Sequence, residues 1–152
     1  MIALVQRVRS ASVRVAGETV GEIGAGMLVL LGVVAGDTDG EARWLADKTA
    51  RLRMFPDEAG RMNRSLADTG GEALVVSQFT LAADASRGTR PSFARAAPPD
   101  EARARYRAFA GHLEAALGRP VPTGRFGAEM DVALVGWGPV TIWLERGPAA
   151  LR

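Results

Sequence analysis

The apolar run Met27 to Val34, MLVLLGVV, limits what this chain can fold into more than any other stretch. Its length and β-branched content suit a strand covered on both faces, not a half-wet strand with strict alternation. Upstream, Ile2 to Val8 alternates and reads as a strand. Val13 to Ala16 and Thr19 to Ile23 read as two more, joined by a hairpin-type turn at Ala16-Gly17-Glu18. Gly24-Ala25-Gly26 is the next turn. The first 34 residues therefore read as a meander that ends in the centre of a sheet, and 152 residues predict one domain.

The pattern then changes period. Thr38 or Asp39 can cap a helix from Glu41 to about Met54, with Trp44, Leu45, Lys48, Thr49 and Leu52 on one face. Phe55 to Gly60 ends it, and Arg61 to Gly71 reads as a loop with little order of its own. Ala73 to Leu81 is a second strongly apolar strand, with Ser77, Gln78 and Thr80 near its C-terminal end. Polar groups there mark either a strand-end site or a strand leaving the core. Ala82 to Ala97 is a long basic loop in which Arg87, Arg90 and Arg95 flank Pro91 and Phe93. It reads as a solvated loop or as an RNA-facing one.

Pro98-Pro99-Asp100 starts the clearest helix. Ala102, Tyr106, Phe109, Leu113 and Leu117 form one apolar stripe, and Gly118-Arg119-Pro120 stops it. Met130 to Glu145, MDVALVGWGPVTIWLE, alternates and reads as two strands folded back on each other around Gly136-Trp137-Gly138-Pro139. Proline at a strand mouth is unusual, because it cannot donate a ladder hydrogen bond. The domain is expected to span residues 1–145, with 146–152 a frayed tail. Strands, helix, strand, helix and a strand pair predict a mixed α/β fold, not a regular doubly wound sheet.

Composition narrows the chemistry. With no cysteine there is no disulfide, thiolate metal site or cysteine nucleophile. One histidine, His112, and no Asp/Glu cluster give no metal-ligand pattern, and no cofactor is expected. No Walker-type or dinucleotide-binding glycine motif is present. His112 flanks the apolar stripe beside Leu113, and no G-x-S-x-G elbow accompanies it, so Ser77 is a poor candidate for a serine activated by histidine. What remains is a site of backbone N–H groups and Ser/Thr/Gln side chains acting on an activated ester. Eighteen of the nineteen basic residues are Arg, which codon bias explains and which also permits a nucleic-acid partner. No membrane span and no secretory signal are read, which makes a soluble cytoplasmic protein the expectation.

Two motifs, Ser77-Gln78-Phe79-Thr80-Leu81-Ala82 and Gly138-Pro139-Val140-Thr141, resemble the signatures of the D-aminoacyl-tRNA deacylase family. Met1 to Val8, Gly21 to Gly24, Arg90 to Phe93 and Thr123 to Phe126 resemble it too, in the same order, so the resemblance covers about residues 1–145. It implies a three-layer α/β/β fold with mixed sheets, a homodimer, and hydrolysis of D-aminoacyl-tRNA and mischarged glycyl-tRNA. It implies that Ser77, Gln78, Phe79 and Thr80 form one wall, whose backbone donors around Phe79 and Thr80 hold the ester carbonyl. A cis Gly138–Pro139 pair would reach into the partner's site, meet the substrate's α-amino group with its carbonyls and block an L side chain. Arg7 would brace that tip, Met130 would line the pocket, and Val140 and Thr141 complete the second motif. The terminal adenosine's 2′-hydroxyl would help the attacking water. The second motif of the family usually opens with Asn; here Gly136 stands in that place.

Overall fold

A computed structural model describes residues 1–147 of the chain. Its first element, β1 (Ile2–Val15), is one strand of 14 residues, where the alternation predicts two. The strand does not end between them; it changes neighbours. Residues 2–8 pair with β3 (Gly26–Gly32), and residues 11–15 pair with β2 (Glu18–Ile23). On its other edge β1 is paired along nearly its whole length by β7 (Asp131–Glu145). β3 in turn pairs in parallel with β6 (Glu72–Ser77). The main sheet thus runs β2-β1-β3-β6, with β7 beyond β1.

Alternation along these strands sorts side chains to two faces. Ala3, Val5, Met27, Val29, Leu31, Ala73 and Val75 pack in one core with α1 (Asp39–Ala50) and α3 (Pro99–Leu117). Val8, Ala11, Val13, Ile23, Leu28, Leu74 and Val76 pack in a second core on the opposite face. Val8 and Ala11 share that face although three positions separate them, because the pairing shifts between Val8 and Ser10. A bulge of this kind flips side-chain parity and sharpens the local twist. The far half of β1 and its partner β2 therefore fold over β6. At Gly21 a Cβ would lie 2.9 Å from the Thr123 carbonyl oxygen and 3.0 Å from Leu74, so only glycine permits that approach. The mixed α/β expectation is met, with a sheet curled over itself on one side and helices on the other.

The first helix is capped by Thr38, which accepts from Gly40 N–H at 3.1 Å, while Glu41 accepts from Thr38 N–H at 2.9 Å. Its buried face shares only Leu45 and Thr49 with the one predicted. Ala42, Leu45, Ala46, Thr49 and Ala50 turn inward, whereas Trp44 and Lys48 face outward and Leu52 lies beyond the helix end. Small residues win these positions because α1 packs closely on α3. The long helix α3 buries the predicted stripe, Ala102, Tyr106, Phe109, Leu113 and Leu117, and stops at Gly118 with φ 66°. Tyr106 donates to the Val75 carbonyl at 2.9 Å, and burial pushes its phenol up to about 12.

Two further expectations give way. The segment expected to be a plain loop contains β5 (Met62–Arg64), paired with β4 (Phe55–Pro56), and a short helix, α2 (Leu66–Thr69). Ser65 and Asp68 cap that helix reciprocally, at 2.8 and 3.2 Å between their side chains and each other's N–H, and Leu66 is fully buried. The C-terminal hairpin is also absent. β7 is one strand antiparallel to β1, from the Arg14–Asp131 pair to the Ile2–Glu145 pair. Between Thr141, opposite Gln6, and Gly136, opposite Val8, residues 137–140 bulge outward across from Arg7. The alternation was real on both sides of the bulge, but β1 supplies the partner for each half.

The Met1 ammonium is buried, 2.7 Å from Asp37 and 2.6 Å from the Arg146 carbonyl oxygen. Arg146 also lies over the Trp44 ring, 4.6 Å from its centroid. Of the tail expected from residue 146, residues 148–152 lie outside the described residues. No described helix is long and apolar enough to cross a membrane.

Candidate active site

Ser77 ends β6, one strand-length into the sheet, with Leu31 of β3 as its pairing partner. The predicted strand to Leu81 stops here. Gln78 N–H still donates to Leu31 at 2.8 Å, and the chain then turns into a 3₁₀ helix, Phe79–Ala82, closed by Leu81 N–H to Gln78 at 3.2 Å. The first N–H groups of a helix have no acceptor within it. Phe79 and Thr80 supply those groups, and neither N–H bonds to a described backbone carbonyl. Both residues are exposed, with Phe79 at 57%. The Gln78 side-chain amide donates to the Thr80 hydroxyl and fixes the outer rim of the turn. Phe79 meets Phe93 edge to face, 5.1 Å between centroids, which seats the basic loop beside this wall.

Ser77 has no base. His112 Nε2 lies 2.9 Å from Asp39, at the junction of α1 and α3, and no hydrogen bond joins it to Ser77. The wall therefore offers backbone donors at a strand end and no nucleophile–base pair.

The second motif lies on the bulge of β7. The Gly138–Pro139 peptide bond is cis, and both residues are exposed. Gly138 has φ 136°, and a Cβ there would come within 2.9 Å of Val140 N and 3.1 Å of Arg7 Nη2. Arg7, only 9% exposed, donates from Nε to the Trp137 carbonyl at 2.8 Å and from Nη1 to the Met54 carbonyl at 2.7 Å. Burial, followed by the charge of Arg9, lowers its pKa. Val140 packs on the first core, and Thr141 returns to the ladder opposite Gln6. Met130 sits at the other end of the strand, half-buried against the second core, with its sulfur close against Gly124.

One chain does not bring the two motifs together. Ser77 is level with Leu31, Ala3 and Leu144, whereas the bulge is level with Arg7. Strand spacings place the tip about 14 Å across the sheet and about 13 Å along it from Ser77. Trp137, read in the sequence only as part of a turn, holds the carbonyl that Arg7 engages. No sequence signal marks a backbone carbonyl as a partner, and the Met54 acceptor was unreadable for the same reason.

Fold and site together define a class of small mixed α/β proteins that present backbone donors at a strand end. A profile of the family described as D-Tyr-tRNA(Tyr) deacylase matches residues 4–145, and the chain belongs to that family of deacylase enzymes. It is 58% identical over 146 residues to the D-aminoacyl-tRNA deacylase of Salinibacter ruber (strain DSM 13855 / M31), covering 96% of this chain and 97% of that protein. It is 63% identical over 145 residues to the D-aminoacyl-tRNA deacylase of Roseiflexus sp. (strain RS-1), covering 95% and 93%. A solved structure titled c-Myc DNA Unwinding Element Binding Protein superposes with a TM-score of 0.91 at 41% identity, over 97% of this chain and 99% of that one. A probable eukaryotic D-amino acid tRNA deacylase shares the fold, with a TM-score of 0.84 at 18% identity over 94% and 97%.

Proposed function

We propose that this chain hydrolyses the ester of D-aminoacyl-tRNA, and of mischarged glycyl-tRNA, to free amino acid and tRNA, and spares L-aminoacyl-tRNA. The observation that carries this is the pair of unengaged N–H groups at Phe79 and Thr80, at the end of a buried strand and without a nucleophile–base pair. Aimed at an ester carbonyl, such donors stabilise the oxyanion that forms when water adds, and one donor is worth about 3–4 kcal/mol. The new carbon–oxygen bond comes from water. The bond to the terminal ribose oxygen breaks, and that oxygen takes a proton. The neighbouring 2′-hydroxyl of the substrate orients the water.

The site is completed by a second copy. The roughly 20 Å between Ser77 and the tip in one chain, from strand spacings, supports a tip that serves the partner's wall. β7 supports the dimer: its outer edge has no strand partner among the described residues, and Val132, Leu134, Val135 and Trp143 are 37–56% exposed along it. In that arrangement the Gly138 and Pro139 carbonyls meet the α-amino group, and the rigid tip leaves no room for an L side chain. Arg7 holds the tip. Arg87 and Arg90, exposed and without an ion pair among the described residues, face the RNA with Phe93. This is a cytoplasmic role in translation quality control.

Incubation with D- and L-tyrosyl-tRNA tests the reading. Loss of the D ester alone is expected; equal loss of both would remove the steric tip from the account. A second reading, nucleic-acid binding without turnover, is favoured by Gly136 in the place of the family Asn, and loss of neither ester would select it. Subunit mixing tests the trans arrangement. Phe79→Pro deletes one wall donor at a position proline tolerates, and Gly138→Ala alters the tip. Each is expected to lose most D-ester turnover alone, with activity restored in mixed dimers, where one site has an intact wall and an intact tip. No restoration would place each tip in its own chain's site.

A further inference from the structure

Beside the Gly138–Pro139 tip, a hollow of about 320 Å³ opens between Phe55, Pro56, Arg64, Thr69 and Trp137. Two rings form its aromatic corner: Phe55, 2% exposed, and Trp137, with centroids 6.2 Å apart. Arg64 lines the hollow, and Arg9 lies over the Trp137 ring at 4.0 Å from the centroid. Both arginines are exposed, and neither has an ion pair among the described residues. No carboxylate lines the hollow. Arg64 donates from Nη2 to the Asp68 carbonyl oxygen at 2.9 Å and its charge reaches the Asp68 carboxylate, which lies outside the lining, so the lining itself is aromatic and cationic. An apolar peptide side chain would use the rings and leave the guanidiniums idle. Arg9 covers the Trp137 ring at 4.0 Å and Arg7 lies over it at 4.8 Å, so a nucleotide uses both by displacing the exposed Arg9: its base takes the place over the ring, and the freed guanidinium, with Arg64, meets its phosphate. The volume, at the lower end of the roughly 300–1,000 Å³ of small-ligand sites, suits one nucleotide and not several.

We propose that this hollow is a stacking subsite for one unpaired nucleobase of the substrate's single-stranded 3′ end, with Arg9 and Arg64 on the adjoining phosphates. The proposal rests on the esterase reading above. In the trans arrangement the tip carries Trp137 to the RNA bound in the partner's site, so the subsite grips a nucleotide just before the esterified adenosine. The same residue that presents its carbonyl to Arg7 presents its ring to the base, which couples RNA binding to the placement of the tip.

The test compares D-tyrosyl-tRNA with D-tyrosyl-adenosine, which lacks every upstream nucleotide, in Trp137→Ala, Trp137→Phe and the double variant Arg9→Glu/Arg64→Glu. The KM for the tRNA is expected to rise on the order of tenfold in Trp137→Ala and in the double variant, as for loss of one stacked base. In Arg9→Glu/Arg64→Glu the KM for the nucleoside ester stays unchanged, and Trp137→Phe, which keeps a ring, recovers most of the loss that Trp137→Ala causes with the tRNA. An unchanged KM for the tRNA, or in the double variant an equal rise for both esters, overturns the subsite. Binding of the trinucleotide CpCpA reads the site without chemistry: weakened binding in Arg9→Glu/Arg64→Glu supports it, and unaltered binding overturns it. A wild type that binds the trinucleotide through these residues but hydrolyses neither ester keeps the subsite and removes the esterase reading alone. If a second copy of the chain fills the hollow instead, Trp137→Ala shifts the sedimentation of the dimer without weakening trinucleotide binding, which also overturns the subsite.

Discussion

Arg7 donates to the carbonyl of Trp137 at 2.8 Å, the last residue before the Gly138–Pro139 pair. Its second bond, 2.7 Å to Met54, ties the same guanidinium to the chain leaving α1. A buried cation therefore sets the distance between the bulge of β7 and the helical layer. Lysine keeps the charge but lacks the planar fork that spans two carbonyls. A carbonyl left without its partner costs about 1–3 kcal/mol. Arg7→Lys is expected to remain folded, to melt a few degrees lower, as about 1–2 kcal/mol predicts for a domain of this size, and to lose at least tenfold in D-tyrosyl-tRNA hydrolysis. Thermal melts and initial rates check both; an unchanged rate would detach the bridge from function.

Gly138 has no room for a side chain. At φ 136° an L residue is strained, and a Cβ would press on Val140 N at 2.9 Å. Gly138→Ala should keep the core, because the residue is exposed and outside both hydrophobic clusters. Turnover of the D ester should fall, and the ratio of D to L hydrolysis should shrink. A variant with wild-type selectivity would show that the tip does not discriminate.

Ser77 tests the mechanism from the other side. It has no base within hydrogen-bond reach, since His112 is held by Asp39. Ser77→Ala should therefore retain substantial activity, within about tenfold of wild type, because the proposed donors are backbone groups that the substitution leaves in place. A loss of three orders of magnitude in kcat would instead mark Ser77 as a nucleophile.

Asp39 gives the fold a pH dependence with a definite sign. The hydrogen bond from His112, reinforced by the charges of His112, Arg43 and Arg105, holds its carboxyl below the ordinary value. A depressed folded value means stabilisation that is complete above the unfolded carboxyl's pKa of about 3.9 and is lost as pH falls through the lower folded value. The stability gap between wild type and Asp39→Asn should hold near neutrality and close as pH drops below about 4. Melting temperatures across that range decide it; a gap that widened in acid would refute the assignment.

Local pattern made some of this legible. The stripe on α3 and the Thr38 cap are written in neighbouring residues, and so is the two-faced burial of β3. The Ser65–Asp68 capping box is equally local, but it starts a helix of only four residues, too short for a periodic apolar stripe to mark it. On α1 local pattern marks Leu45 and Thr49 correctly; Trp44 and Leu52 are large and apolar, but closeness to α3 selects Ala42, Ala46 and Ala50 instead. The end of β6 was placed too late because Phe79 and Leu81 continue its apolar character, and only the end of pairing with β3 turns the chain at Gln78.

The mixed α/β class, the positions of the two motifs, and a chemistry without thiol or histidine-activated serine were all legible in the chain's residues. These follow from residue identity and short-range periodicity. That residues 131–145 are one strand depends on long-range pairing, because alternation tells which side chains share a face but not which strand pairs with which. Tertiary structure also decided that Arg7 reaches Trp137 and Met54, and that one chain holds Ser77 and Gly138 apart. Those are relations between backbone groups distant in sequence, and a backbone carbonyl has the same identity at every position.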